Sequence, residues 1–105
     1  ISRYKMLIRL TEVYGNGVMP STYKMAYTLR EVFVNPEHVV MIREEVKMQQ
    51  LNEQGVLPEE LNPHHRFTKL TINRGHTGTE IIVVGAPEMV EKTLNTTKEK
   101  QLLRG

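Results

Sequence analysis

The run from Phe67 to Leu94, FTKLTINRGHTGTEIIVVGAPEMVEKTL, constrains the fold more than any other part of the chain. Leu70 and Ile72 alternate with Lys69 and Thr71, the period of a strand with one apolar face. Asn73-Arg74-Gly75-His76-Thr77-Gly78 then supplies two glycines where a hairpin has to reverse. The following strand, Ile81-Ile82-Val83-Val84, is β-branched on both faces, so it predicts cover on both sides. Gly85 ends it, and Pro87 opens a helix whose Met89, Val90, Thr93 and Leu94 share one face.

Upstream, Tyr4 to Tyr14 reads as a first strand, with Met6, Ile8 and Leu10 on one face and Leu7, Arg9, Thr11 and Val13 on the other. Gly15-Asn16-Gly17 predicts a turn or loop that runs on through Met19-Pro20-Ser21-Thr22. A second strand is expected over 26–34, and Asn35-Pro36-Glu37 predicts a sharp corner after it. His38 to Val46 is expected as a third strand, because Val39-Val40 is β-branched; a helix competes there through Glu44, Lys47 and Met48. Residues 48–66 are polar and interrupted by Gly55, Pro58 and Pro63, so they read as a long polar loop, too long for an ordinary connection. Residues 95–105 extend the last helix or fray. The expected architecture is one α+β domain over 1–105, a small and mostly antiparallel β-meander with a C-terminal helix.

Three blocks in this order resemble the FlbD family of small flagellum-associated proteins: Leu7-Ile8-Arg9-Leu10-Thr11, then residues 31–42, EVFVNPEHVVMI, then Leu70 to Leu94. The resemblance implies a lead strand, a strand ending in an Asn-Pro corner, a meander and a final acidic helix. It covers about half of the chain and carries no catalytic residues with it. The extra residues around 15–25 and the 48–66 connection depart from that pattern. The style of the chain is also similar to that of small accessory proteins of tailed bacteriophages.

Composition narrows the chemistry. With 105 residues and 39% hydrophobic content, the chain is long enough and apolar enough for one packed core. It has no cysteine, which excludes disulfides and thiolate metal sites and suits a reducing, cytoplasmic setting. No apolar stretch reaches the roughly 20 residues that span a bilayer, and no signal-peptide core is evident at the start. All acidic residues are glutamate, so triads and hard-cation sites built on aspartate are absent. Ser2 and Ser21 are the only serines and neither sits in a nucleophile elbow, so no enzyme and no cofactor is expected.

Charge is distributed in blocks. Residues 1–30 carry five Lys/Arg against one Glu, residues 31–60 two against seven, and residues 61–105 seven against four. Such alternation suits a self-associating or partner-binding surface. The partner-facing residues expected from the sequence are His64, His65, Arg66 and Phe67 at the end of the polar loop, with Arg74 and His76 in the hairpin turn. Adjacent histidines diverge on an extended segment, so a zinc site at His64 or His65 would need His38, His76 or Glu80 to converge; no metal is expected. The first alternative is nucleic-acid binding, with Arg3, Lys5, Arg9, Lys24 and Arg30 interleaved with Tyr4, Tyr14, Tyr23 and Tyr27 as a stacking platform. The third reading is anion or nucleotide binding by the Arg74 loop, which lacks P-loop order and leads into a strand. The leading reading is a small non-enzymatic regulatory or accessory protein, acting through a protein partner and through homo-oligomerisation.

Overall fold

The computed structural model describes residues 7–19, 24–55, 57 and 61–103. They form an α+β fold of five antiparallel strands and two helices. The strands are β1 (Ile8–Met19), β2 (Lys24–Val34), β3 (Val39–Glu44), β4 (Phe67–Arg74) and β5 (Thr77–Val84). Helix α1 (Val46–Glu53) lies between β3 and β4, and α2 (Pro87–Leu103) closes the chain and includes most of the tail. The sheet order is β2-β1-β5-β4-β3, so a hairpin and a three-strand meander join through β1 and β5.

The Asn-Pro corner connects the two outermost strands. Asn35 Oδ1 accepts the Glu37 N–H at 2.9 Å, and Pro36–His38 make one 3₁₀ turn. A link this short reaches about 13 Å, whereas the outer strands of a flat five-stranded sheet stand about 19 Å apart. The sheet therefore curls toward an open barrel.

Curling gives the sheet two cores. On one face Ile8, Val34, Leu70 and Val83 pack with Val90 and Leu94 of α2. On the other, Val13 and Phe67 pack with Met48 of α1 and with Leu57, and Tyr27, Leu29, Leu51, Leu61, Ile82 and Val84 surround them. The central strand β5 sends Val83 to the first core and Ile82 and Val84 to the second, which accounts for its double-sided apolar pattern.

Several boundaries differ from the sequence reading. Gly15-Asn16-Gly17 makes no turn: these residues lie inside β1, where the pairing with β2 shifts register between Gly15 and Val18. Residues 20–23, which join the two strands, lie outside those described. The β4–β5 reversal is tighter than expected, because Arg74 pairs with Thr77 and Gly75-His76 alone turn the chain. Gly75 takes φ 71°, where a side chain would be strained.

The largest correction concerns 48–66. β3 stops at Glu44, and Val46–Glu53 form α1, so the helix-forming residues set against a strand at 38–46 act one turn downstream. Met48, Leu51 and Asn52 share its inner face at helical spacing. Asn52 Nδ2 donates to the Asn62 carbonyl at 2.8 Å, tying the helix to the far end of the connection. Of its described residues, Met48, Leu51, Leu57 and Leu61 pack on the second core, so they act as its lid and not as a solvated loop.

Candidate functional site: a groove beside α2

The sequence-predicted cluster at 64–67 lies where the lid returns to the sheet. Asn62-Pro63-His64-His65 is a β-turn closed by the His65 N–H to the Asn62 carbonyl at 3.0 Å, with proline at the favoured second position. The Asn62 side-chain oxygen accepts the His64 N–H at 2.7 Å, and the Asn62 N–H donates to His65 Nδ1 at 3.0 Å. His65 Nδ1 is therefore an acceptor, and its ring is oriented by the turn. His64 stays exposed.

Phe67 anchors the end of the lid, as its place at the start of a strand predicts, and so does not face a partner. Arg66, expected to be available to a partner, is engaged internally. Phe67 is fully buried in the second core. The Arg66 fork donates to both Glu44 oxygens, at 2.7 and 3.0 Å, and reaches Glu88 at 3.1 Å. This holds the end of β3 to the first turn of α2, where a carboxylate also meets the positive end of the helix dipole. The hydrogen bond to Arg66 and its charge hold the Glu44 carboxyl below its ordinary range against an opposing desolvation effect, and the Arg66 pKa is raised chiefly by Glu44. An arginine clasped by two carboxylates has little left for an outside anion.

Beyond Val84 the chain leaves the sheet. The Gly85 N–H donates to the Arg66 carbonyl at 2.7 Å, and the Gly85 carbonyl accepts from the buried Thr68 hydroxyl at 2.8 Å. Gly85 takes φ 126°, a conformation strained for any residue with a side chain, so glycine lets the chain turn from β5 into α2; a Cβ there would meet Val90 Cγ2 only at ordinary contact distance, 3.5 Å. Among the described residues β1 pairs with β5 at Glu12 and Val83, and with β5 ending at Val84 a gap opens beside Leu10.

That gap continues into a groove of about 490 Å³ bordered by Leu10, His64, His65, Ala86, Met89 and Thr93. Its apolar floor includes Met89, which is 64% exposed. A shallower extension runs along α2 past Lys92 and Thr96. Sequence reasoning placed Met89 on the helix face with Val90 and Leu94. In the structure Val90 and Leu94 turn inward, and Met89 lines the groove. Leu10 and Asn62 also went unsignalled, since their roles depend on where β5 and the lid end.

The remaining candidates do not converge. Arg74 and His76 lie at the opposite end of β4 from Arg66, about 26 Å away along the strand. His76 is exposed in the turn, and the Arg74 side chain lies outside those described. Among the described residues no group of three metal-ligating side chains comes together.

For the nucleic-acid alternative, Arg3 and Lys5 lie outside the described residues, as does the side chain of Lys24. Arg9 pairs across from Phe33, and Arg30 across from Glu12, so the two arginines project from opposite faces. Arg9 meets Glu31 at 3.2 Å; Arg30 donates to Glu12 at 2.9 Å and stacks over the Tyr14 ring at 3.7 Å. Tyr27 does share a face with Arg9, but six residues away along the strand and packed on the second core. A single basic, aromatic platform is not formed by these residues.

No family model matches the chain, and neither a curated protein nor a solved structure is significantly similar to it. None of the described helices is long and apolar enough to cross a membrane.

Proposed function

We propose that this is a small non-enzymatic accessory protein that holds a short peptide segment of a partner in the groove beside α2. The observation that carries the reading is Met89, a large apolar side chain of α2 left in the open where α2 borders the groove opposite the Asn62–His65 turn. The groove offers an apolar floor and a few donors at its rim, which suits one apolar anchor residue of an incoming peptide. His64, His65 and Lys92 on the rim favour an acidic flank beside that anchor. A cytoplasmic setting, and a flagellar or phage-related process, belong to this proposal through the absence of cysteine and the family resemblance. Self-association belongs to it as well, supported by the exposed apolar residues Leu7, Phe33, Val40 and Met41.

A peptide library displayed against the wild-type protein, then resynthesised and titrated by fluorescence anisotropy, tests the groove. Selected peptides should share an apolar residue beside acidic ones and lose at least about tenfold in affinity toward Met89→Glu. Met89 is not part of either core, so the variant should keep its thermal midpoint within a few degrees. Peptides that bind Met89→Glu as tightly as wild type would overturn the assignment.

A further inference from the structure

The second core does not cover its whole sheet face. It reaches β1 at Val13 and β2 at Leu29, and stops there. Toward the start of β1 the register sets Thr11 opposite Glu31 and Arg9 opposite Phe33, with Leu7 on the adjoining diagonal. Leu7 is 53% and Phe33 56% exposed, although both project from the same face as the buried Val13. Met41 shares that face on β3, through its pairing with Thr71, and is 42% exposed. An apolar strip therefore flanks the Asn35–His38 corner with no helix or loop over it among the described residues.

We propose that this strip is a two-fold interface between two copies of the chain, centred on Phe33. The proposal rests on the self-association half of the proposed function and is independent of the groove. Its charges choose the occupant. One cation, Arg9, and one anion, Glu31, stand 3.2 Å apart beside Phe33, and both are mostly exposed. An isologous interface needs a patch that complements itself, and a patch with one charge of each sign does so when a two-fold axis sets Arg9 against Glu31 of the other copy. A partner of a single charge sign would be repelled by half of the patch. The Arg9–Glu31 pair within one copy is worth little at this exposure, so it is free to expand into a four-charge ring around two phenylalanines. β2 is also an edge strand, and its register with β1 is regular from Tyr27 to Val34, which leaves a bulge-free margin beside the strip.

Sedimentation velocity over a concentration series, in low and moderate salt, tests this with four variants: Phe33→Asp, Arg9→Glu, Glu31→Arg and the double swap Arg9→Glu/Glu31→Arg. Wild type should show reversible association from the 12.2 kDa monomer to twice that mass. Phe33→Asp and each single swap should weaken association at least about tenfold, the single swaps because they make the patch like-charged. The double swap should regain most of it, since a patch with its two signs exchanged is still self-complementary. Circular dichroism would establish that the variants fold, as their exposed positions imply. A wild type that stays monomeric at every concentration overturns both the interface and self-association. Association that survives Phe33→Asp and the single swaps overturns this interface while leaving self-association through another surface standing. Single and double swaps weakening association equally would overturn the two-fold arrangement.

Discussion

The two faces of the sheet are covered by different means. The face under α2 is closed by one helix that follows the sheet directly, with Val90 and Leu94 inserted among residues of all five strands. The face under α1 is closed by a short helix and a connection whose apolar residues are spread thinly: Met48, Leu51, Leu57 and Leu61. The first cover is locked at its edge by charge, through Arg66 between Glu44 and Glu88. The second is locked by the Asn52–Asn62 hydrogen bond and by apolar burial, with Glu45 and Lys69 pairing at 3.2 Å near the start of α1. A segment that looks like a polar linker can thus carry half of a core, provided its few apolar residues all face the same way.

Replacing residues 49–62 with a Gly-Ser linker is the harshest way to break the comparison. If the segment were a solvated loop, the thermal midpoint would hold, because loop length alone costs little. The change removes Leu51, Leu57 and Leu61 from the second core, and the Asn52–Asn62 tie goes with them. The buried Leu57 contributes about 1.5–3 kcal/mol, and the half-buried Leu51 and Leu61 roughly half as much each. The sum is comparable with the whole stability of a domain this size. Loss of a cooperative melting transition is the expected result, and a cooperative transition at an unchanged midpoint would show that α1 and its connection are dispensable.

Single truncations sharpen the comparison. Phe67→Ala and Leu70→Ala remove fully buried side chains three positions apart on β4 that face opposite cores. Each should cost about 3–5 kcal/mol in urea unfolding at neutral pH, and Leu57→Ala about 2–4 kcal/mol. A cost near zero for Phe67→Ala and Leu57→Ala, with Leu70→Ala fully destabilising, would mean that the second cover is loosely attached.

How much was legible in the sequence follows from the same contrast. From Phe67 to Leu94 every signal is local: alternation, a glycine at the turn, proline at the helix start. The arrangement follows these signals closely; the differences are the extent of the turn and Met89, which faces the groove and not the core with Val90 and Leu94. The double-sided pattern at 81–84 demands two covers; local signals show only α2, and taken alone that shortfall argues for a second copy of the chain as the other cover. The chain supplies it itself, so this strand no longer argues for self-association; the exposed Leu7–Phe33 strip does. α1 was obscured because eight residues with two or three apolar side chains give a faint period, and Leu57 and Leu61 lie beyond a glycine and a proline. At the site, the donor-rich 64–67 cluster was found, but its partners were not. Glu44 and Glu88 lie 22 residues from Arg66 on either side, a distance that no local pattern encodes.

Acid should separate the two covers by the smallest of these effects. Arg66 holds the Glu44 carboxyl below its ordinary value of 4.5, through a hydrogen bond first and charge second. A carboxyl whose folded pKa is depressed adds stability that is fully present above its unfolded pKa and is lost as pH falls through the folded one. The contribution from Glu44 is therefore constant from neutrality down to about pH 5 and fades below about pH 4.5. Glu44→Gln keeps the shape and gives up the charge, so it should be less stable than wild type at pH 7 by a modest margin. That margin should narrow steadily between pH 4.5 and pH 3, measured as urea midpoints at matched ionic strength. Phe67→Ala, which weakens the apolar side of the comparison, should show no such convergence with wild type, because its loss carries no proton. A Glu44→Gln deficit that stays constant down to pH 3 would mean that the clasp on α2 acts through shape alone, and that both covers are held by packing.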